Sequence, residues 1–393
     1  MHIGVTGPVS LGPLRCCLPS GASLPAIYSF PLTGKLAAEL VRRGHEVTVF
    51  AGSYEVSEVV RVDGDRLCLR VFPMRRRGGP YDFYRPERSI LADLIRESEV
   101  KMVHAHWTYE FAAGALDSGV STLVTAHDSP LAILRYFVRG RAAAFWAMRS
   151  LLAARVVWRA KRLTAVSPYC REHVVKTLRP SAPCVVVPNG IESEWLEWGK
   201  QRLEVGEPNG PLTVVTVLEG FGGRKNSENA LRAFRLVRER VPTARLRMFG
   251  TGHGPEEAGR WAKERGLADG VEFVGRIGQE TIVRFLVEET HVLLHPSREE
   301  SFGMALLEAM ALGVPVVGGV GSGGVPYVVG DAGLLVDVNA PEAMAEALLN
   351  LAVSREQRTD LARKGWERAG AEFTLARMTD GYEREYDALL LGR

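Results

Sequence analysis

The feature that most constrains this chain is a rhythm repeated twice, in which short β-branched runs alternate with amphipathic helical stretches. In the first series, strands are expected at His2 to Thr6, Glu46 to Ala51, Lys101 to His104, Ser121 to Ala126, Arg162 to Ser167 and Cys184 to Pro188. Helices fall between them; one covers Leu32 to Arg43, with Gly44 placed for a left-handed cap. The second series has strands at Leu212 to Leu218, Arg245 to Gly250, Val271 to Val274, His291 to His295 and Val314 to Gly318, and helices starting near Asn226, Glu256, Glu280, Phe302 and Pro341. Strands that alternate with helices form parallel sheets with crossover connections, so the chain is α/β with two doubly wound sheets. Its 393 residues also exceed what one compact core accommodates.

The boundary is expected after Pro188-Asn189-Gly190, where 191–210 carries charges, tryptophans and a Pro-Asn-Gly turn but no strand pattern. Domains of 1–190 and 191–374 follow. A last helix, Leu375 to Leu391, repeats Tyr382 and Tyr386 at a spacing of four and so has one adhesive face. It packs either on its own domain or back on the first.

Two long uncharged stretches, Cys16 to Gly34 and Ala309 to Gly330, are interrupted by prolines and cannot remain helical in lipid. The start, Met-His-Ile-Gly-Val-Thr-Gly, reads as a strand and a turn and not as a secretory signal, so a cytoplasmic protein is expected. Five scattered cysteines show no zinc or disulfide spacing and read as reduced filler.

The strongest local signal runs from Ser297-Arg298-Glu299-Glu300-Ser301-Phe302-Gly303-Met304 through Glu308 to Gly313-Val314-Pro315. It reads as a strand end, a turn, a helix and a buried strand. Glu308 lies two turns beyond Glu300, about 12 Å along a helix. Between them the amides of Gly303, Met304 and Ala305 form a helix N-terminus suited to an anion. Two carboxylates flanking an anion site match the sugar, diphosphate and ribose of a nucleotide-sugar; a capped, solvated helix face is the competing structural role.

This segment resembles the signature of the retaining glycosyltransferases of family 4, which have two Rossmann-like domains facing a central cleft, the GT-B architecture. The resemblance extends through Arg43-Gly44-His45-Glu46-Val47, Val103-His104-Ala105-His106-Trp107, Thr125-Ala126-His127, Ala165-Val166-Ser167, Val187-Pro188-Asn189-Gly190-Ile191 and Gly250-Thr251-Gly252. It implies that the first domain faces the acceptor and the second binds the donor. It also implies that Glu300 binds donor-sugar hydroxyls near the reacting carbon, with Ser301, Phe302, Gly303, Met304 and Gly250 around the donor, and that Glu308 takes the ribose hydroxyls. Lys225 matches the family's diphosphate lysine, and a cation at a glycine-rich strand-to-helix turn suits that role. The family's accompanying arginine falls at Gly220 here, and Arg224 is either its substitute or a surface residue.

His127 ends a buried strand and matches the histidine beside the anomeric carbon, in competition with a structural role. His104, His106 and Trp107 share a neighbouring strand end, divided between packing and acceptor binding. Zinc has no support in the spacing of the histidines. Asp63-Gly64-Asp65 lies between strand-like runs and reads as a hairpin turn, so no metal is expected. No cofactor is implied beyond the donor substrate, with a UDP or GDP base. The expected activity is metal-independent transfer, with retention, to a hydroxyl of a glycan, lipid-linked or other acceptor. Competing classes are an epimerase or sugar phosphorylase on this architecture, and a binding subunit without turnover. Two departures from the family stand out: a proline-rich insertion from Gly7-Pro8 to Gly34 replaces a short two-glycine loop, and Tyr327 stands where a glutamate is common.

The net charge of +3 is a cancellation of +10 over 1–190 against −7 over 191–393. Residues 129–171 hold nine basic residues and no acidic one, interleaved with Phe137, Phe145, Trp146 and Trp158. A basic aromatic helix reads either as a crossover with a solvated face or as an element for an anionic membrane surface, which would put the protein peripherally on the inner face of the membrane. Nucleic acid is not expected, since no recognition module accompanies the charge.

Overall fold

In the computed structural model, which describes residues 1–137 and 139–392, the chain divides into two compact units, Met1–Gly190 with Leu375–Arg393, and Ile191–Thr374. Val138, which falls within the basic segment read from the sequence, and Arg393, two residues past the last helix read there, lie outside the described residues.

The first unit holds β1 (His2–Thr6), β2 (Glu46–Ser53), β3 (Val60–Asp63), β4 (Leu67–Pro73), β5 (Met102–His106), β6 (Thr122–Ala126), β7 (Arg162–Ala165) and β8 (Cys184–Val186). They lie in the order β3-β4-β2-β1-β5-β6-β7-β8. Every pairing is parallel except β3 with β4, the hairpin that turns at Asp63-Gly64-Asp65. Crossover helices cover both faces of such a sheet, so its strands are buried runs: all five residues of β5 and all five of β6 are buried.

The last helix, Leu375–Leu390, belongs to this unit. Its Tyr382 and Tyr386 enter the core with Ile3, Val5, Leu36, Leu40 and Val49. Arg43, at the end of helix Pro31–Arg42, secures it by donating to Asp380 and Glu383, each at 2.6 Å, and to the carbonyl of Ala376 at 2.9 Å. His45 adds a 2.8 Å bond to Glu383. Gly44, at φ +90°, makes the left-handed exit between these two anchors. The Arg-Gly-His motif is thus a clamp on a helix that follows it by more than 300 residues.

The second unit holds β9 (Thr213–Val217), β10 (Arg245–Phe249), β11 (Val271–Gly275), β12 (Val292–Leu294), β13 (Val316–Gly319) and β14 (Leu334–Val336), in the order β11-β10-β9-β12-β13-β14. All pairings are parallel. Val214, Leu246, Met248, Phe234, Val237, Met344 and Leu348 form its core. The segment 191–210 is not bare linker, since it contains a helix, Ser193–Val205, whose Trp195 is buried. Strand order reverses between β1 and β5 in the first unit and between β9 and β12 in the second. Crossovers leave in opposite directions at such a point, opening a crevice at the carboxyl ends of the strands where ligands bind.

Candidate functional site

In the second unit the two loops leaving β9 and β12 meet at the reversal. Lys225 Nζ donates to Glu300 Oε1 at 2.5 Å, and His295 Nε2 lies 3.1 Å from the same oxygen. Arg224 pairs with Glu299 at 3.1 Å and stands 4.0 Å from Glu300 Oε2. Burial acts to raise the Glu300 carboxyl, but the Lys225 ammonium, with His295 and Arg224, outweighs it and holds the group well below the usual carboxylate range. Glu300 is an anion at neutral pH, embedded among cations.

The loops are stapled together from beneath. Asn226 adopts the left-handed conformation, φ +60°, which asparagine tolerates better than most residues. Its buried amide donates to the carbonyls of Pro296 at 3.0 Å and Val338 at 2.8 Å. Arg298 donates from its backbone to Arg224 O and from its guanidinium to Gly223 O, both at 2.8 Å. The cations therefore sit on a fixed frame.

Beyond Glu300 the chain reaches Gly303, at φ +101°, and the helix Met304–Ala311, whose Met304 and Ala305 amides precede the first helical bond, from Leu306 N to Gly303 O at 3.0 Å. Ser301 is buried, and the buried Phe302 ring packs edge-on against Phe373, 5.7 Å away, so Phe302 contributes mainly core on that side. Glu308 is half-buried one turn past Met304. Gly250 has a packing reason for being glycine: a Cβ there would lie 1.8 Å from the carbonyl of Leu218. Tyr327, in the place of the common glutamate, packs edge-on to Phe373 at 5.7 Å.

In the first unit, His104 and His106 are two apart on β5 and therefore share a face, their rings 4.1 Å apart. Their roles differ. His104 has both nitrogens occupied, Nδ1 by the Tyr386 hydroxyl at 2.8 Å and Nε2 by Thr125 Oγ1 at 2.7 Å. His106 Nδ1 lies 2.8 Å from His127 Nε2. Trp107, in the left-handed conformation at φ +66°, stacks on His127 at 4.3 Å, and Phe30 meets Trp107 edge-on at 4.8 Å. Burial pushes the His127 imidazole down to about 3 and lowers His104 and His106 as well, so this cluster is neutral at physiological pH. Sequence reasoning brought together Lys225, Arg224 and Glu300, and His106, Trp107 and His127. It gave no site role to His295, which ends an expected strand, to Asn226, which starts an expected helix, or to Arg298, which lies inside the strongest motif.

Two doubly wound units, with an anion-ready helix start beside a cation-held carboxylate, define an enzyme fold of the GT-B type. Residues 33–195 match Glycosyltransferase Family 4 and residues 200–368 match Glycosyl transferases group 1, and the chain belongs to this family. Among curated relatives, it is 28% identical over 245 residues to the GDP-mannose-dependent alpha-(1-6)-phosphatidylinositol monomannoside mannosyltransferase of Mycobacterium tuberculosis, covering 58% of this chain and 62% of that protein. It is 22% identical over 373 residues to the N-acetyl-alpha-D-glucosaminyl L-malate synthase of Bacillus anthracis, covering 90% and 91%. Among solved structures, the sucrose-phosphate synthase of Thermosynechococcus elongatus superposes with a TM-score of 0.79 over 100% of both chains at 18% identity, a likeness of fold.

Proposed function

We propose that the protein is a retaining, metal-independent glycosyltransferase that moves a hexose from a nucleotide-diphosphate sugar to a hydroxyl of a glycan or lipid-linked acceptor. The observation that carries this reading is the Lys225–Glu300 pair at the reversal of the second sheet. In the unliganded protein the ammonium is held on the carboxylate. A bound diphosphate takes over the cation, with Arg224 and the amides of Gly303 and Met304 beside it, and the freed Glu300 accepts bonds from sugar hydroxyls. Glu308 serves the ribose.

His127 acts on this reading as a neutral imidazole. Its depressed protonation keeps a positive charge away from an anomeric carbon that is itself becoming positive, while a ring nitrogen orients the sugar. In the transfer, the bond from the anomeric carbon to the phosphate oxygen breaks, the bond to the acceptor oxygen forms on the same face, and the acceptor proton passes to the departing phosphate oxygen. Lys225 and Arg224 can neutralise the leaving diphosphate without a metal. The printed name of the GDP-mannose-dependent mannosyltransferase supports a GDP-sugar donor, mannose and a phosphatidylinositol mannoside acceptor.

A peripheral place on the cytoplasmic face of a membrane is part of the proposal. Helix Gly140–Arg159 exposes Arg141, Leu151 and Trp158, and Arg135, Phe137 and Arg139 are exposed just before it. Part of the basic segment serves the fold instead: Arg159 pairs with Asp117 at 2.8 Å, Arg162 with Glu385 at 2.5 Å, and the half-buried Arg149 with Glu110 at 3.6 Å. No helix among the described residues is long and apolar enough to cross a membrane.

A thermal-shift panel of nucleoside diphosphates and nucleotide-sugars tests the reading, since a ligand bound only by the native state raises its melting point. GDP or UDP should raise the melting temperature, and a panel in which none does so overturns the donor site.

A further inference from the structure

The proline-rich insertion between Gly7 and Gly34 builds an aromatic wall that leads outward from His127. Its ends are fixed by backbone bonds from Val9 N to Tyr28 O at 2.9 Å, Ser10 N to Phe30 O at 3.0 Å, and Tyr28 N to Gly52 O at 2.8 Å. Gly34 marks how tightly the loop closes, because a Cβ there would lie 2.2 Å from the carbonyl of Ser10. Phe30 is thereby set against Trp107 and 5.9 Å from the His127 ring. Two residues earlier, Tyr28 stacks on the buried Phe111 at 6.4 Å and lies 6.1 Å from Tyr54, which follows β2.

The outer pair differs from the rest of the wall in being open to solvent. Tyr28 is 39% exposed and Tyr54 36%, whereas Phe111 and Tyr109 behind them are buried. The floor beneath is polar but balanced in charge. Tyr109 donates to Asp128 at 2.7 Å, and Arg149 lies 3.6 Å over the Tyr109 ring and 3.6 Å from Glu110. One guanidinium faces two carboxylates there, which gives no excess positive charge for an anion. Thr108 Oγ1, Glu110 Oε2 and Arg149 Nε are buried without a hydrogen-bond partner among the described residues. Burial, with the Glu110 carboxylate nearby, raises both exposed phenols, so they remain O–H groups able to donate.

We propose that Tyr28 and Tyr54 are the acceptor platform: a neutral polyhydroxylated ring, a hexopyranoside or a cyclitol, stacks its C–H face on these phenols and presents a hydroxyl toward His127. The proposal rests on the transferase reading and gives the class of acceptor. Aromatic faces suit such a ring because its C–H edges are weakly positive and the ring's π-face negative, while its hydroxyls need the donors and acceptors that phenols provide. Arg76, 5.6 Å over the Tyr54 ring, stands at the rim where any phosphate carried by the same acceptor would extend.

Saturation-transfer NMR on the full chain tests this with three probes, methyl α-D-mannopyranoside, myo-inositol and glycerol 3-phosphate. The proteins are the wild type, the double variant Tyr28→Ala/Tyr54→Ala, and Tyr81→Ala, a tyrosine that is 64% exposed outside the wall. At least one of the two polyols should receive saturation at its ring C–H protons from the wild type and from Tyr81→Ala, with the signal about fivefold weaker in the double variant, the scale of a lost aromatic face. Equal saturation in the double variant, no saturation of either polyol, or saturation of glycerol 3-phosphate alone overturns the platform. Melting-point shifts with GDP and UDP are measured on the same samples. Their absence from every protein overturns the donor reading, and the polyol signals decide the platform independently. Because both tyrosines are surface residues, an unchanged melting temperature of the unliganded double variant confirms that it is folded.

Discussion

Replacing Lys225 by Met separates the two halves of the ion pair on which the proposed donor site rests. The pair is short, 2.5 Å, and only 13% and 14% of the two side chains is exposed. Removing one member of a fully buried pair costs about 3–5 kcal/mol, because the other charge is left desolvated. Here Glu300 keeps His295 at 3.1 Å and Arg224 at 4.0 Å, so the expected cost is smaller, about 2–3 kcal/mol. For a unit of this size that is a fall of about 5–10 °C in its unfolding temperature. Neutralising the carboxylate as well should restore stability, so Lys225→Met/Glu300→Gln should be more stable than Lys225→Met by about 1–2 kcal/mol. Calorimetry of the wild type, Lys225→Met, Glu300→Gln and the double variant gives the coupling directly. Additive costs, or a Lys225→Met protein as stable as the wild type, refute the electrostatic account of Glu300.

Other perturbations follow from the same contacts. Tyr386→Phe removes the hydroxyl that satisfies buried His104 Nδ1 and should cost about 1–3 kcal/mol, read by urea denaturation; no change refutes the anchoring of the last helix through that bond. His127 is held neutral, with a folded value of about 3 against 6.5 for the free side chain, so the unfolded chain binds a proton that the native state refuses as pH falls through that interval. Stability should therefore drop below pH 6.5 by up to about 1.4 kcal/mol per unit from this residue alone, with His104 and His106 acting in the same direction. Urea titrations at pH 5, 6 and 7.5 should show a shallower slope for His127→Gln, and identical slopes contradict the burial argument. Sedimentation should recover the protein with phosphatidylglycerol vesicles and not with phosphatidylcholine; equal, negligible binding to both removes the membrane surface from the account.

The sheets were the most legible part of the sequence, because strands buried on both faces are written as continuous apolar runs. β1, β2, β6, β9 and β10 fall within two residues of their expected bounds. Elements that lack that signal were harder to see. β14, three half-buried residues, has no run long enough to register. Helix Ser193–Val205 hides its one buried tryptophan among charges. The residues of the proposed donor site could be picked out wherever one segment holds them, as in Glu300 through Glu308. Roles were not legible where partners are remote. Asn226 works through carbonyls 70 and 112 residues away, and His104 was settled by a tyrosine 282 residues downstream. The proline-rich insertion announced a departure from the family, but only its backbone pairing with Val9, Ser10 and Gly52 shows that it carries Tyr28 and Phe30 to their places.

The most direct test of the central claim is release of nucleoside diphosphate from a panel of UDP- and GDP-sugars, with and without polyol acceptors, by the wild type, Glu300→Ala and the surface control Tyr81→Ala. The account predicts release by the wild type and the control that falls by about two orders of magnitude or more in Glu300→Ala, the scale of losing a group that acts at the reacting centre. Release that persists in Glu300→Ala, or turnover of the nucleotide-sugar into an isomer with no diphosphate released, contradicts it.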